Sequence, residues 1–240
     1  MALLLSIETS SPICSVALHQ NGQLIAFNES ATPQSTASRL AVMIDEVLKN
    51  GDCQPKQLQA VVISAGPGSY TGLRIGVATA KGICYALSIP LISVNTLELM
   101  AYQVKMKSSN IINSSPSFLE KGLGGEVLCP MLDARRMEVY CLLMDSNLKL
   151  VEPTRAKIID EKSFEEWLDK SPIYFFGSGA DKCKEVITHF NAHFIWGVSP
   201  SASQLGELGE DKWKNLTFDD IATFEPLYLK DFMIKKPNSV

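Results

Sequence analysis

Histidine is scarce in this sequence, whose 240 residues hold three, at His19, His189 and His193. His189 and His193 have the four-residue spacing of a helical metal pair, but Asn191 is placed to end a helix between them, which points the rings apart, and no third ligand lies nearby. Ser64, Ser69 and Thr71 have no motif that pairs them with a histidine, so neither metal nor Ser-His chemistry has its constellation. The six cysteines form no CxxC pair, and most fall in apolar stretches where a free thiol packs as a small hydrophobe. That suits a reducing cytoplasm. Residues 1–5 run straight into a strand pattern without the basic start of a signal peptide, and no apolar run reaches the roughly 18 residues of a membrane span. Basic charge is short as well: 22 Lys and Arg against 26 Asp and Glu give a net charge of −4. An autonomous nucleic-acid binder usually carries a basic surface, so any such contact is expected to be shared with partners.

A phosphate-binding signature is also missing from the glycine-rich segment at residues 66–72, GPGSYTG. Five residues separate Gly66 from Gly72 where a Walker loop has four, Leu73 and Arg74 follow where Lys and Ser or Thr should stand, and Thr71 breaks GxGxxG. What is present is a strand at Val61, Val62 and Ile63, the glycine turn, a helix to Leu87 capped by Ser69 or Thr71, and a strand at residues 91–94 after Pro90. The turn is either an anion cradle at a helix N-terminus or a plain structural turn. Within the helix Gly72, Gly76 and Ala80 recur every four residues, leaving one face almost bare. Helical glycine costs about 1 kcal/mol relative to alanine, so close approach by a neighbouring backbone should compensate. Leu73, Val77, Cys84 and Leu87 make a second apolar stripe.

The run GPGSYTGLRIGVATAKGICYALSIPLISVNTLELMA resembles the signature of the TsaB family, the non-catalytic partner subunit in bacterial synthesis of threonylcarbamoyladenosine on tRNA. The likeness continues in LLLSIETSSPICSVAL, PMLDARRMEVY and EPLYLK, and so spans most of the chain. It implies an α/β fold with a duplicated ribonuclease H-like unit, as in actin, Hsp70 and the sugar kinases.

The order of elements fits that expectation. Strands at residues 3–7, 14–19 and 23–28, the last two joined by Asn21-Gly22, precede a helix at 36–49, the glycine-loop unit and a short helix at 96–102. The second half repeats the order, with strands at 127–132, 138–144 and 148–152, a helix at 161–170, a strand at 173–176, a helix at 179–190, a strand at 193–196 and a helix at 201–213. Two βββαβαβα units are therefore expected, a first domain over 1–103 and a second over 127–240. A polar linker over 104–126, with a loop from 106 to 125, joins them. The last residues, KKPNSV, read as a frayed end.

In that superfamily ATP lies between the halves, and each half offers its first hairpin turn to the phosphates. Here those turns are Glu8-Thr9-Ser10-Ser11-Pro12 and Asp133-Ala134-Arg135-Arg136, each with an acid and neither with the glycine that lets backbone N–H groups approach a phosphate. Candidate nucleotide or phosphate contacts are Glu8, Thr9, Ser10, Gly66, Gly68, Asp133, Arg135, Gly177 and Gly179. Arg135 or Arg136 either meets a phosphate or pairs with a surface acid. The catalytic paralogue of the family carries an HxxxH metal pair on the helix after its first hairpin, whereas residues 33–40 here contain no histidine.

The resemblance thus implies no catalytic residue, no metal and no required cofactor, with weak ATP or ADP binding within a complex. Its implied partners are a TsaD-type catalytic paralogue, a TsaE-type ATPase and, through the complex, tRNA; a homodimer is expected when the chain is alone, and no membrane. In the family the two long helices of the first domain pair with the partner, which maps the interface to Leu40, Met43, Val47, Leu73, Gly76, Val77, Ala80 and Cys84. An older glycoprotease label does not imply peptidase activity. The alternative is an independent ATPase or phosphotransferase using Glu8 and Asp133 around Mg²⁺.

Overall fold

The computed structural model describes residues 2–31, 36–111 and 125–230. β1 (Leu3–Glu8) and β4 (Ala60–Ser64) are buried along their whole length, which is why Leu3, Leu4, Leu5 and Ile7 of the one and Ala60, Val61, Val62 and Ile63 of the other are apolar on both faces. β2 (Cys14–Gln20) and β3 (Gln23–Ser30) form a hairpin whose turn, Asn21-Gly22, has φ of 52° and 78°, the positive pair that a tight two-residue connection requires. Between β3 and β4 lies α1 (Thr36–Asn50); after β4 come α2 (Tyr70–Leu87), β5 (Leu91–Val94) and α3 (Thr96–Ile111). The second half contains β6 (Val127–Asp133), β7 (Glu138–Asp145), β8 (Leu150–Ile158), α4 (Glu165–Leu168), β9 (Ile173–Phe176), β10 (Ala192–Ile195) and α5 (Ala202–Lys214).

Each half makes one five-stranded sheet, β3-β2-β1-β4-β5 and β10-β9-β6-β7-β8. The two orders are the same once read in the same direction. In both, the first three strands pair antiparallel and the last two add in parallel. This is the duplicated ribonuclease H-like arrangement expected from the sequence.

The final helices are exchanged between the halves. α1 and α2 cover one face of the first sheet, but its other face, with Leu4, Val62 and Ile92, is covered by Leu205 of α5. Conversely Leu97, Met100, Ala101 and Val104 of α3 pack on Leu128, Leu142, Tyr174 and Phe176 of the second sheet. α5 approaches closely because Gly206 lies against His19 and Gly209 against Val62. Each unit therefore needs a helix from the other half to close its core.

Three helices differ from the sequence reading. α3 continues to Ile111, through the expected start of the linker at 104, its apolar stripe running on to Val104 and Lys105, Met106 and Lys107 after it being good helix formers; of the expected loop, residues 112–124 lie outside the described residues. The helix expected at 161–170 is the single turn α4. Ahead of it Asp160 accepts from Lys162 N (3.1 Å) and from Ser163 Oγ (2.8 Å), a local turn that competes with helix. At 179–190 there is no continuous helix. Successive turns, Ala180 N to Gly177 O, Cys183 N to Ala180 O and Val186 N to Cys183 O, carry Ala180, Cys183 and Ile187 into the second core. The KKPNSV end lies outside the described residues.

Candidate functional site

β1 delivers Glu8 to the start of the first turn, and the carboxyl is fully buried there. Oε1 accepts from both Ser10 N and Ser10 Oγ at 2.5 Å, and Oε2 accepts from Ser64 Oγ at the end of β4. Burial pushes the Glu8 carboxyl up to about 7, with the Ser10 bonds pulling the other way. The glycine loop lies directly on this turn. Ser69 N donates to Ser10 O (2.6 Å), and a Cβ on Gly68 would stand 2.7 Å from the Ser10 Cβ. One turn further along α2, a Cβ on Gly72 would strike the Thr9 carbonyl and one on Gly76 the Thr9 hydroxyl. The bare face of α2 therefore exists for the chain's own first turn, the close backbone approach expected from the spacing. Ser69 caps α2 by accepting from Gly72 N (3.3 Å).

The C-terminal segment closes the loop from outside. Leu227 N donates to Ala65 O (2.7 Å), the Leu227 carbonyl packs on Gly66, and the Tyr228 and Tyr70 rings lie 4.7 Å apart. Between this segment and α2 runs a groove of about 400 Å³, lined by Tyr70, Arg74, Lys81, Glu225, Pro226 and Tyr228. Lys81 Nζ donates to Phe224 O (3.0 Å) at its edge.

The second turn is closed in a different way. Lys182 Nζ pairs with the Asp133 carboxylate and also donates to Arg136 O (2.6 Å) and Glu138 O (2.7 Å). Arg135 N donates back to Asp133 Oδ1 (2.9 Å), and Asp133 N to Ser178 Oγ (3.2 Å). Gly177, at φ 96°, fits against the Met131 carbonyl, and Gly179 N donates to Met131 O (3.0 Å). The structure thus gathers Glu8, Thr9, Ser10, Gly66 and Gly68 at one turn and Asp133, Arg135, Gly177 and Gly179 at the other. Sequence reasoning missed Lys182 and gave Ser64 no structural part; Ser64 stands beside Glu8 because β4 adds in parallel to β1, a pairing that no local pattern announces.

The interface residues named from the sequence need correction. Leu40, Met43, Val47, Leu73, Gly76, Val77, Ala80 and Cys84 are all buried within the chain, most of them in the core beneath α1 and α2. Leu40, Met43, Val47, Val77, Ala80 and Cys84 join the core of the first sheet, while Leu73 lies against Gly66 and Gly76 against Thr9, so the inner face of each helix is satisfied within the chain. The outer face of the same helices carries Val42 on α1 and Arg74, Ala78, Gly82 and Tyr85 on α2; Tyr85 is 83% exposed, and a Cβ on Gly82 would touch nothing within 4 Å. His189 and His193 diverge: His189 lies 3.4 Å from Asp169, and His193 stacks on Tyr174 at 5.0 Å. Among the described residues no helix is long and apolar enough to cross a membrane.

A family model described as TsaD, tRNA N6-adenosine threonylcarbamoyltransferase, matches residues 30–231. The chain belongs to the TsaD family. Within that family it is similar to proteins named tRNA threonylcarbamoyladenosine biosynthesis protein TsaB, so the likeness read from the sequence holds. The Bacillus subtilis protein of that name is 27% identical over 221 residues, 87% of each chain. The Escherichia coli one is 31% identical over 137 residues, 57% of this chain and 52% of its own. A solved structure of YeaZ from Pseudomonas aeruginosa superposes with a TM-score of 0.77 at 23% identity, covering 95% of this chain and 100% of that one. This last likeness speaks for the fold. Unlike the catalytic pattern set out above, this TsaD-family chain has no histidine in α1.

Proposed function

We propose that this chain is the non-catalytic, cytoplasmic subunit of a complex that transfers a threonylcarbamoyl group to adenosine of tRNA. It pairs with a TsaD-type catalytic paralogue, is served by a TsaE-type ATPase, and meets tRNA through the complex. The observation that carries this reading, beside family membership, is that the acid of each turn where a nucleotide would be held is already engaged by the chain's own groups. Glu8 is sealed by Ser10 and Ser64, and Asp133 is neutralised by Lys182. Glu8 is fully buried and Asp133 is held in an ion pair, which weighs against an independent ATPase or phosphotransferase that needs both acids around magnesium. Any ATP or ADP bound is held weakly, within the complex. The pairing surface is the outer face of α1 and α2, where Ala78 and Gly82 allow close helix approach around Tyr85.

The test is reconstitution of threonylcarbamoyl transfer to tRNA from the paralogue and its ATPase, with and without this chain. Modified adenosine should form only when the chain is present, and the chain alone should not turn over ATP. Full modification without it, or magnesium-dependent ATP hydrolysis by the isolated chain that Glu8→Gln removes, would overturn the reading.

A further inference from the structure

The turn that joins β6 to β7 carries two arginines where its backbone favours other residues. Arg135 has φ of 69° and Arg136 φ of 50°, successive positive torsions that glycine and asparagine adopt with least strain. The β2–β3 turn meets the same demand with Asn21 and Gly22. The two arginine side chains do nothing for the turn itself: both residues are exposed, and among the described residues neither guanidinium has a hydrogen-bond or ion-pair partner. Backbone bonds and a lysine hold the turn instead. Glu138 N donates to Arg135 O (3.2 Å) and Ala134 N to Glu138 O (3.0 Å), while Lys182 Nζ donates to Arg136 O and Glu138 O.

The acids of the turn are already engaged, Asp133 by Lys182 and Glu138 by Lys230. Four cations, Arg135, Arg136, Lys182 and Lys230, therefore stand with two acids, a local charge of +2 on a chain whose net charge is −4. The surface acid that the sequence left open as a partner for the arginines is absent, so the anion they lack comes from outside the chain. A nucleotide cradle is disfavoured, because the turn's N–H groups are used internally: Asp133 N on Ser178 Oγ, Ala134 N on Glu138 O, Arg135 N on Asp133 Oδ1 and Glu138 N on Arg135 O. What remains on offer is two guanidinium forks without backbone donors, the side-chain contact by which proteins hold a nucleic-acid backbone.

We infer that Arg135 and Arg136 contact the phosphate backbone of tRNA when this chain is in its complex with the catalytic paralogue. The inference rests on the tRNA reading above and deepens it, giving the second half of the chain a share in holding the substrate while the helices of the first half pair with the paralogue. It agrees with the acidic net charge, since a two-arginine contact adds to a surface supplied by the paralogue without making this chain a nucleic-acid binder by itself.

The double variant Arg135→Asn, Arg136→Gly tests it in the complex of chain and paralogue. The exchange gives the turn residues that its torsions favour, so the variant should fold at least as stably as the wild type and still co-purify with the paralogue. The Kd of the complex for an unmodified tRNA transcript should rise about tenfold at low salt, and the slope of log Kd against log salt should flatten by about 2. In the transfer assay the KM for tRNA should rise with kcat retained. Arg135→Gln with Arg136→Gln carries the binding test if circular dichroism shows the first variant misfolded. An unchanged Kd and salt slope overturn the proposal, and so does loss of the paralogue, which would make the pair a protein contact. Transfer that needs the wild-type chain but is indifferent to the variant refutes this contact alone, whereas transfer that proceeds without the chain refutes the tRNA reading beneath it.

Discussion

At the scale of single residues, Glu8 and His19 are buried polar groups whose titrations oppose each other. The neutral Glu8 carboxyl fits its site, so its contribution is fully present below pH 4.5 and is lost as pH rises through about 7; the change is on the order of 3 kcal/mol. Glu8→Gln keeps the acceptor for Ser10 and gains a donor toward Ser64, and should flatten that alkaline loss. Urea midpoints measured on both sides of neutrality would show it, and equal slopes for variant and wild type would refute it. His19 sits between β2 and α5, with Nδ1 3.2 Å from Ser6 Oγ and Nε2 3.0 Å from Ser203 O. Burial lowers its pKa, so the stability it supports is present above pH 6.5 and falls as pH drops from there through the folded-state value. Thermal midpoints should decline on that acid side, with a shallower slope in His19→Gln. Neither role was legible beforehand. The sequence shows an acid at a strand end and a histidine within a strand, but not the serines or the helix that the fold brings to them.

At the scale of elements, α2 has two small-residue faces with opposite fates. Gly72, Gly76 and Ala80 were conspicuous in the sequence, and the close approach they imply is real, but the approaching group is Thr9 of the same chain. Gly76→Arg should therefore unfold the protein rather than only uncouple a partner. Gly82 was not conspicuous, yet it has open space where a Cβ would go. Gly82→Arg should change the unfolding free energy by no more than about 0.5 kcal/mol, read from urea denaturation, and abolish co-purification with the paralogue. Retained pairing would move the interface elsewhere. Periodicity identified which residues pack together, but it could not say which stripe meets the sheet, because both stripes are small or apolar.

At the scale of the whole molecule, the exchanged helices make the halves interdependent. A fragment ending at residue 103 keeps α1 and α2 but loses α5, leaving Leu4, Val62 and Ile92 uncovered. It should be insoluble or molten when expressed alone, with little near-ultraviolet circular dichroism. A cooperative, native-like fragment would refute the interdependence. The C-terminal segment adds a further tie: Leu227 is bonded to Ala65 in the first half, and Lys230 pairs with Glu138 in the second.

The sequence by itself determined the two sheets, their strand order by way of family likeness, the capped glycine helix and the absence of glycine from the first turn of each half, residues 8–12 and 133–136. These are local patterns or signatures, and short-range sterics and burial periodicity express them directly. The tertiary structure decided the rest. It placed Ser64 beside Glu8, Lys182 across Asp133, α3 on the second sheet and α5 on the first. Each is a contact between residues far apart in the chain, set by which apolar face remained uncovered once the sheets had formed.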